Sequence, residues 1–140
     1  MNLLLDTCTL IWLASEPGRL SAGAAAAIND STSALHVSHA SLWEITLKHG
    51  AGRLALPDPP RVWWGEQVRR WGLIEVRLDA EMLLQGSELP PHHKDPFDRV
   101  IIAQARIGGL HLVSPDAAFP AYAVHRLRAA LGCDWRRLLG

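Results

Sequence analysis

Cysteine, net charge and long apolar runs are all scarce in this sequence, and each scarcity removes a class of protein. The two cysteines, Cys8 and Cys133, lie at opposite ends of 140 residues with no metal-type spacing. That fits thiols in a reducing compartment better than a disulfide scaffold. Lys plus Arg balances Asp plus Glu at 14 each, so any nucleic-acid surface must be a local patch. No basic residue precedes Leu3-Leu4-Leu5, and Asp6 interrupts that run at once, which argues against a signal peptide. The next apolar stretch, 22–28, is mostly alanine and far too short to span a bilayer. The expectation is a soluble, cytoplasmic protein with no membrane association.

What is present is a globular composition, 49% hydrophobic and 20% charged. A chain of this length can bury roughly two thirds of its unfolded surface in one core. With no repeat and no long linker, residues 1–140 read as one domain, with 125–140 as a candidate C-terminal extension.

Local patterns place the elements. Leu3-Leu4-Leu5 is a continuous apolar run typical of a buried strand. Helices are expected over 7–14 and over the alanine-rich 20–29. A second strand falls at 35–37, and Ser38 then N-caps a helix ending near 50–52. Helix resumes over 62–71, a third strand falls at 73–78, and a short helix at 79–87. Asp95-Pro96 is a helix start, with Asp at the N-cap and Pro in the first turn, and Gly108-Gly109 ends that helix. A fourth strand is expected at 110–113, a helical turn opens at Ser114-Pro115, and a weaker strand lies around 123–127. Strands alternating with helices predict a three-layer α/β/α domain on a mainly parallel sheet of four to five strands.

Sites in such sheets form beyond the carboxyl ends of the strands. Asp6 follows strand one directly, Glu44 lies in the helix after strand two, Asp98 in the first turn of the helix before strand four, and Asp116 just after strand four. Each has a structural explanation. Asp6 could cap a helix, Asp98 and Asp116 suit the helix dipole, and Glu44 with Lys48 makes an i, i+4 pair. Together they ask for more, because carboxylates converging within about 4 Å repel by a few kcal/mol per pair at an effective dielectric near 20. They then need a shared cation or a proton. An all-oxygen set suits a hard ion, Mg²⁺ or Mn²⁺.

Four blocks carry a family resemblance. Leu3-Leu4-Leu5-Asp6-Thr7 resembles the opening of PIN domains. Val37-Ser38-His39-Ala40-Ser41-Leu42-Trp43-Glu44-Ile45, with Lys48 after it, is similar to the second block of a VapC toxin subgroup. His93-Lys94-Asp95-Pro96-Phe97-Asp98-Arg99 and Leu112-Val113-Ser114-Pro115-Asp116 resemble the third and fourth. The resemblance implies a toxin of a type II toxin–antitoxin system, an endoribonuclease that leaves 3′-hydroxyl and 5′-phosphate ends. It implies Asp6, Glu44, Asp98 and Asp116 as catalytic ligands of Mg²⁺ or Mn²⁺. Thr7, Ser38, Asp95 and Ser114 would hold those ligands from behind; Ser114 stands where the family usually has Thr. A cognate VapB-type antitoxin lying over the active-site groove, an RNA substrate and a homodimer are the implied partners. Lys48, Lys94 and Arg99 are candidates for RNA phosphate contacts, with neutralisation of neighbouring carboxylates as the other reading. The basic tail, with Arg126, Arg128, Arg136 and Arg137 against Asp134, is longer than usual for the family.

Among the six tryptophans, Trp12 and Trp43 suit core or dimer contacts. Trp63, Trp64 and Trp71 suit core packing or an antitoxin groove ahead of base stacking. A haloacid-dehalogenase-type phosphatase would need a second Asp where Cys8 stands. A zinc site at His92-His93-Asp95 lacks a supporting cysteine. A non-catalytic partner-binding module, or a metal-dependent phosphohydrolase not specific to RNA, remains the alternative.

Overall fold

A computed structural model describes residues 1–91 and 95–115 and, by backbone alone, the strand at 126–128. The chain runs β1 (Asn2–Leu5), α1 (Thr7–Ser15), a 3₁₀ turn (Pro17–Arg19), α2 (Ala22–Asn29), β2 (Ala34–Ser38), α3 (His39–Gly50) and α4 (Pro60–Trp71). It continues through β3 (Ile74–Val76), α5 (Ala80–Glu88), α6 (Pro96–Gly108), β4 (His111–Ser114) and β5 (Arg126–Arg128). The starts are chemically marked: Asp6, Ser21, Ser38, Asp79 and Asp95 each accept a hydrogen bond from a first-turn N–H. Pro60 and Pro96 occupy first-turn positions where no N–H is needed. Gly72 and Gly109 end α4 and α6 at φ of 60° and 62°, which favours glycine.

The sheet order is β3-β2-β1-β4-β5, with every pairing parallel. The predicted α/β architecture is therefore the observed one. The third strand is shorter than expected, at Ile74–Val76, and lies exposed at the sheet edge. The weak strand expected at 123–127 is β5, shifted toward the C-terminus, so the start of the basic tail pairs with β4. The helical turn expected after Ser114-Pro115, and the rest of the tail, lie outside the described residues. Cys8 lies in a disulfide, which corrects the expectation of two thiols; separation along a chain is no guide to what a side chain meets in space. No helix among the described residues is long and apolar enough to cross a membrane.

Alternate residues of a strand point to opposite faces, and the core divides accordingly. Leu3 and Leu5 pack with Leu10 of α1, Ile28 of α2 and Trp63 and Trp64 of α4. Leu4 packs with Ile101, Ile102 and Ala105 of α6 on the other side. Helix α3 contributes to both layers, Ile45 to the first and Ala40 to the second. It thus crosses between the layers just past the carboxyl end of β2, and that position brings Glu44 to the site.

Candidate functional site

The strand order reverses direction between β1 and β4: β2 and β3 lie to one side of β1, and the chain then returns to the other. Ligand crevices of parallel sheets open at such a switch point. Asp6 leaves β1 there. Its N–H donates to the Val113 carbonyl across the gap at 3.1 Å. Its Oδ1 accepts from the Thr9 N–H at 2.8 Å, and its Oδ2 from the Ser114 hydroxyl at 2.5 Å. The Thr9 hydroxyl donates to the Val113 carbonyl at 2.9 Å, bracing the same corner. Asp6 is 4% exposed. Burial pushes its carboxyl up to about 6, and the nearby Glu44 carboxylate adds to the rise; the bonds from Ser114 and Thr9 oppose it.

Glu44 is 2% exposed. Its Oε2 accepts from Lys48 Nζ at 2.8 Å. Its Oε1 is buried with no hydrogen-bond partner among the described residues. An unsatisfied buried polar atom costs about 1–3 kcal/mol, more when charged, and one in a native fold calls for an explanation such as an ion. The structure therefore brings two buried carboxylates into electrostatic contact and leaves one oxygen open.

Asp98 lies on α6, in the other layer. It is half-buried in the first turn of α6, whose N-cap Asp95 accepts from the N–H groups of Phe97 and Asp98. Phe97 and Trp43 meet edge to face, with ring centroids 5.3 Å apart. Ala40 shares a core cluster with Ile101 and Ile102. Residues 40 and 43 of α3 thus run antiparallel to 97 and 101 of α6. Asp98 accordingly lies one turn from Ile102 in the same direction that Glu44 lies from Ala40. Among the described residues no three His, Cys, Asp or Glu side chains group closely enough to hold a metal on their own. Asp116 and Lys94 lie outside the described residues.

The hydroxyl that bonds Asp6 is Ser114's. Thr7 donates to Ser41 at 2.8 Å, tying α1 to α3, and Ser38 accepts from the Ala40 N–H as the cap of α3. Arg99 is a brace: its guanidinium donates to the carbonyls of Gly86, Ser87, Leu89 and Pro90, fastening the end of α5 to α6. Sequence reasoning passed over Thr9, although a residue three places after a capping Asp is where the cap bond lands.

Sequence reasoning also missed a cavity of about 670 Å³ between α3 and α4, lined by His39, Leu42, Trp43, Thr46, Arg61 and Trp64. At its edge Glu75 accepts from the Trp64 indole at 2.8 Å and lies 3.0 Å from His39 Nε2. Trp43 is 56% exposed beside it, whereas Trp12, Trp63 and Trp64 are core residues.

The PIN-domain family model matches residues 3–124. Solved structures share the fold over nearly the whole chain. The VapBC2 complex of Rickettsia felis bound to a DNA fragment from their promoter is 13% identical at a TM-score of 0.68, covering 92% of this chain and 99% of that one. DNA-bound VapBC from Salmonella typhimurium is 18% identical at 0.65, covering 91% and 97%. FitAcB from Neisseria gonorrhoeae is 20% identical at 0.58, covering 90% and 96%. No curated protein matches the sequence. With its model spanning all but the first two residues and the tail, and its fold repeated in these structures, the chain belongs to the PIN-domain family.

Proposed function

We propose that this PIN domain is a VapC-type toxin, an endoribonuclease that hydrolyses RNA phosphodiester bonds at an acidic site holding Mg²⁺ or Mn²⁺. The observation that carries the proposal is the buried pair of Asp6 and Glu44, with Glu44 Oε1 left without a partner. Such an oxygen fits a hard cation, since the donor set is all oxygen. Asp6, Glu44, Asp98 and Asp116 would hold the ion, which when bound supplies an acidified water and a counter-charge for the phosphate. Asp6 is fixed by Thr9 and Ser114, so its carboxylate meets the ion without reorganising. Burial around Asp6 and Glu44 excludes bulk water and strengthens every charge interaction there.

The solved neighbours are VapBC and FitAB complexes, which supports a cognate antitoxin as partner. The apolar α3–α4 cavity, on the helix that carries Glu44, suits an apolar antitoxin segment. Exposed Leu83 and Leu84 on α5 offer surface for a homodimer. A cytoplasmic location belongs to this reading through the family likeness alone, and the disulfide at Cys8 is the observation that counts against it.

The test is cleavage of a fluorophore-quenched single-stranded RNA, with a DNA of the same sequence alongside, in Mn²⁺ and in EDTA. Wild-type protein should cut RNA only with metal, and Asp6→Asn should lose at least about 100-fold while keeping its circular dichroism spectrum. Equal cleavage in EDTA, or by Asp6→Asn, would overturn the proposal.

A further inference from the structure

We propose that Lys48 is the acidic site's own counter-cation: it neutralises and aims Glu44 when no metal is held, and it weakens the grip on the metal that replaces it. The inference rests on the metal-site reading above and adds a determinant of affinity to it.

An i, i+4 Glu–Lys pair on a solvated helix contributes a few tenths of a kcal/mol and exchanges freely with water. This pair is different in kind. The side chains of Glu44 and Lys48 are 2% and 18% exposed, and Nζ lies 2.8 Å from Oε2. With Glu44 out of water, no solvent stands ready to replace the ammonium. Two consequences follow from one contact. Oε2 is occupied, so Oε1 is the oxygen presented to an incoming ion. A positive charge also stands beside the place where a second, divalent one must settle, and like charges in a desolvated site repel strongly.

Lys48 therefore does for the empty site part of what a metal does for the filled one. It offsets the cost of holding Glu44 ionised and buried beside Asp6. Its removal should destabilise the metal-free protein and improve metal binding at once. Neither a packing role for the lysine stem nor a phosphate-binding role predicts that pairing of effects.

The experiment compares wild type, Lys48→Met and Lys48→Arg without RNA, following Mn²⁺ binding by calorimetry and melting temperature with and without Mn²⁺. Lys48→Met should melt several degrees lower in EDTA, bind Mn²⁺ roughly tenfold tighter, and regain most of the lost Tm at saturating Mn²⁺. Lys48→Arg, which keeps the charge, should stay within about twofold of wild type. A Lys48→Met protein that folds only with Mn²⁺ is the limiting form of the expected result. Unchanged or weaker Mn²⁺ affinity in Lys48→Met, or failure to fold in either condition, overturns the inference. So does a variant altered only in its KM for RNA. Asp6→Asn and Glu44→Gln run alongside: if they keep wild-type Mn²⁺ binding, the metal-site reading itself fails. If they lose it while Lys48→Met matches wild type, only the role of Lys48 fails.

Discussion

Replacing Asp6 with Asn should make the metal-free protein more stable at pH 7. The carboxyl is buried, and its pKa stands at about 6 against an ordinary 3.8. Between those values the folded state holds a proton that the unfolded chain has released, so stability falls as pH rises from about 4 to about 6. Above pH 6 both states are ionised and the cost is constant. At 1.36 kcal/mol per pH unit, the rise corresponds to about 3 kcal/mol against the folded protein. Asparagine removes the charge and keeps the shape, but it accepts the Thr9 and Ser114 bonds less strongly. The net gain should be about 1–3 kcal/mol, or roughly 3–10 °C in Tm for a chain of this size. The assay is thermal or urea unfolding in EDTA at pH 5 and pH 7.5, with wild type and variant side by side. The variant's advantage should appear at pH 7.5 and shrink at pH 5. A variant less stable than wild type at pH 7.5 would show that hydrogen bonding outweighs desolvation at Asp6, and the reasoning would fail.

Three further outcomes follow from the same geometry. Ser114→Ala removes the 2.5 Å bond to Asp6, so the carboxyl pKa should rise further and Mn²⁺ affinity at pH 7 fall about 3- to 10-fold; Ser114→Thr should hold it near wild type. Arg99→Met strips a charged donor from four backbone carbonyls and should cost about 2–4 kcal/mol in unfolding, with Mn²⁺ affinity within about twofold of wild type. A raised KM for RNA at unchanged stability would instead support the phosphate role for Arg99. Mn²⁺ should raise the Tm of wild type but not of Glu44→Gln, read by differential scanning fluorimetry.

The elements most legible in the sequence are those whose signals are local. A three-leucine run needed only its own residues to read as a buried strand, and Asp95-Pro96 is a complete helix start in two positions. Strand β3 was less legible because an exposed edge strand alternates without a sharp boundary, and three residues of pairing decide where it ends. The site divides in the same way. Asp6 was visible as an acid at a strand end, but the partners of its two oxygens were not. The first lies three residues away and the second 108, across the switch point that only the sheet order reveals. The surroundings of Arg99 were illegible for a similar reason. An arginine next to an acid in sequence suggests phosphate chemistry, yet its four carbonyl partners sit on another helix end, 9 to 13 residues back.

On the proposed function, capping and ligand holding by Asp6 are parts of one arrangement. The Thr9 N–H takes Oδ1 and so fixes the torsion that turns Oδ2 toward β4, where Ser114 meets it. A free carboxylate in a crevice would rotate, and an ion would have to immobilise it on binding. Here the fold has immobilised it already, at the expense of burying a charge beside Glu44. That expense is what the predicted stability gain of Asp6→Asn measures, and the same stored repulsion favours any cation that reaches the site. A structural aspartate selected for its cap alone would sit in water at a helix end, with no second carboxylate against it. The combination of a satisfied cap, a raised pKa and the open oxygen on Glu44 is what the proposed metal site rests on, beyond a row of helix starts.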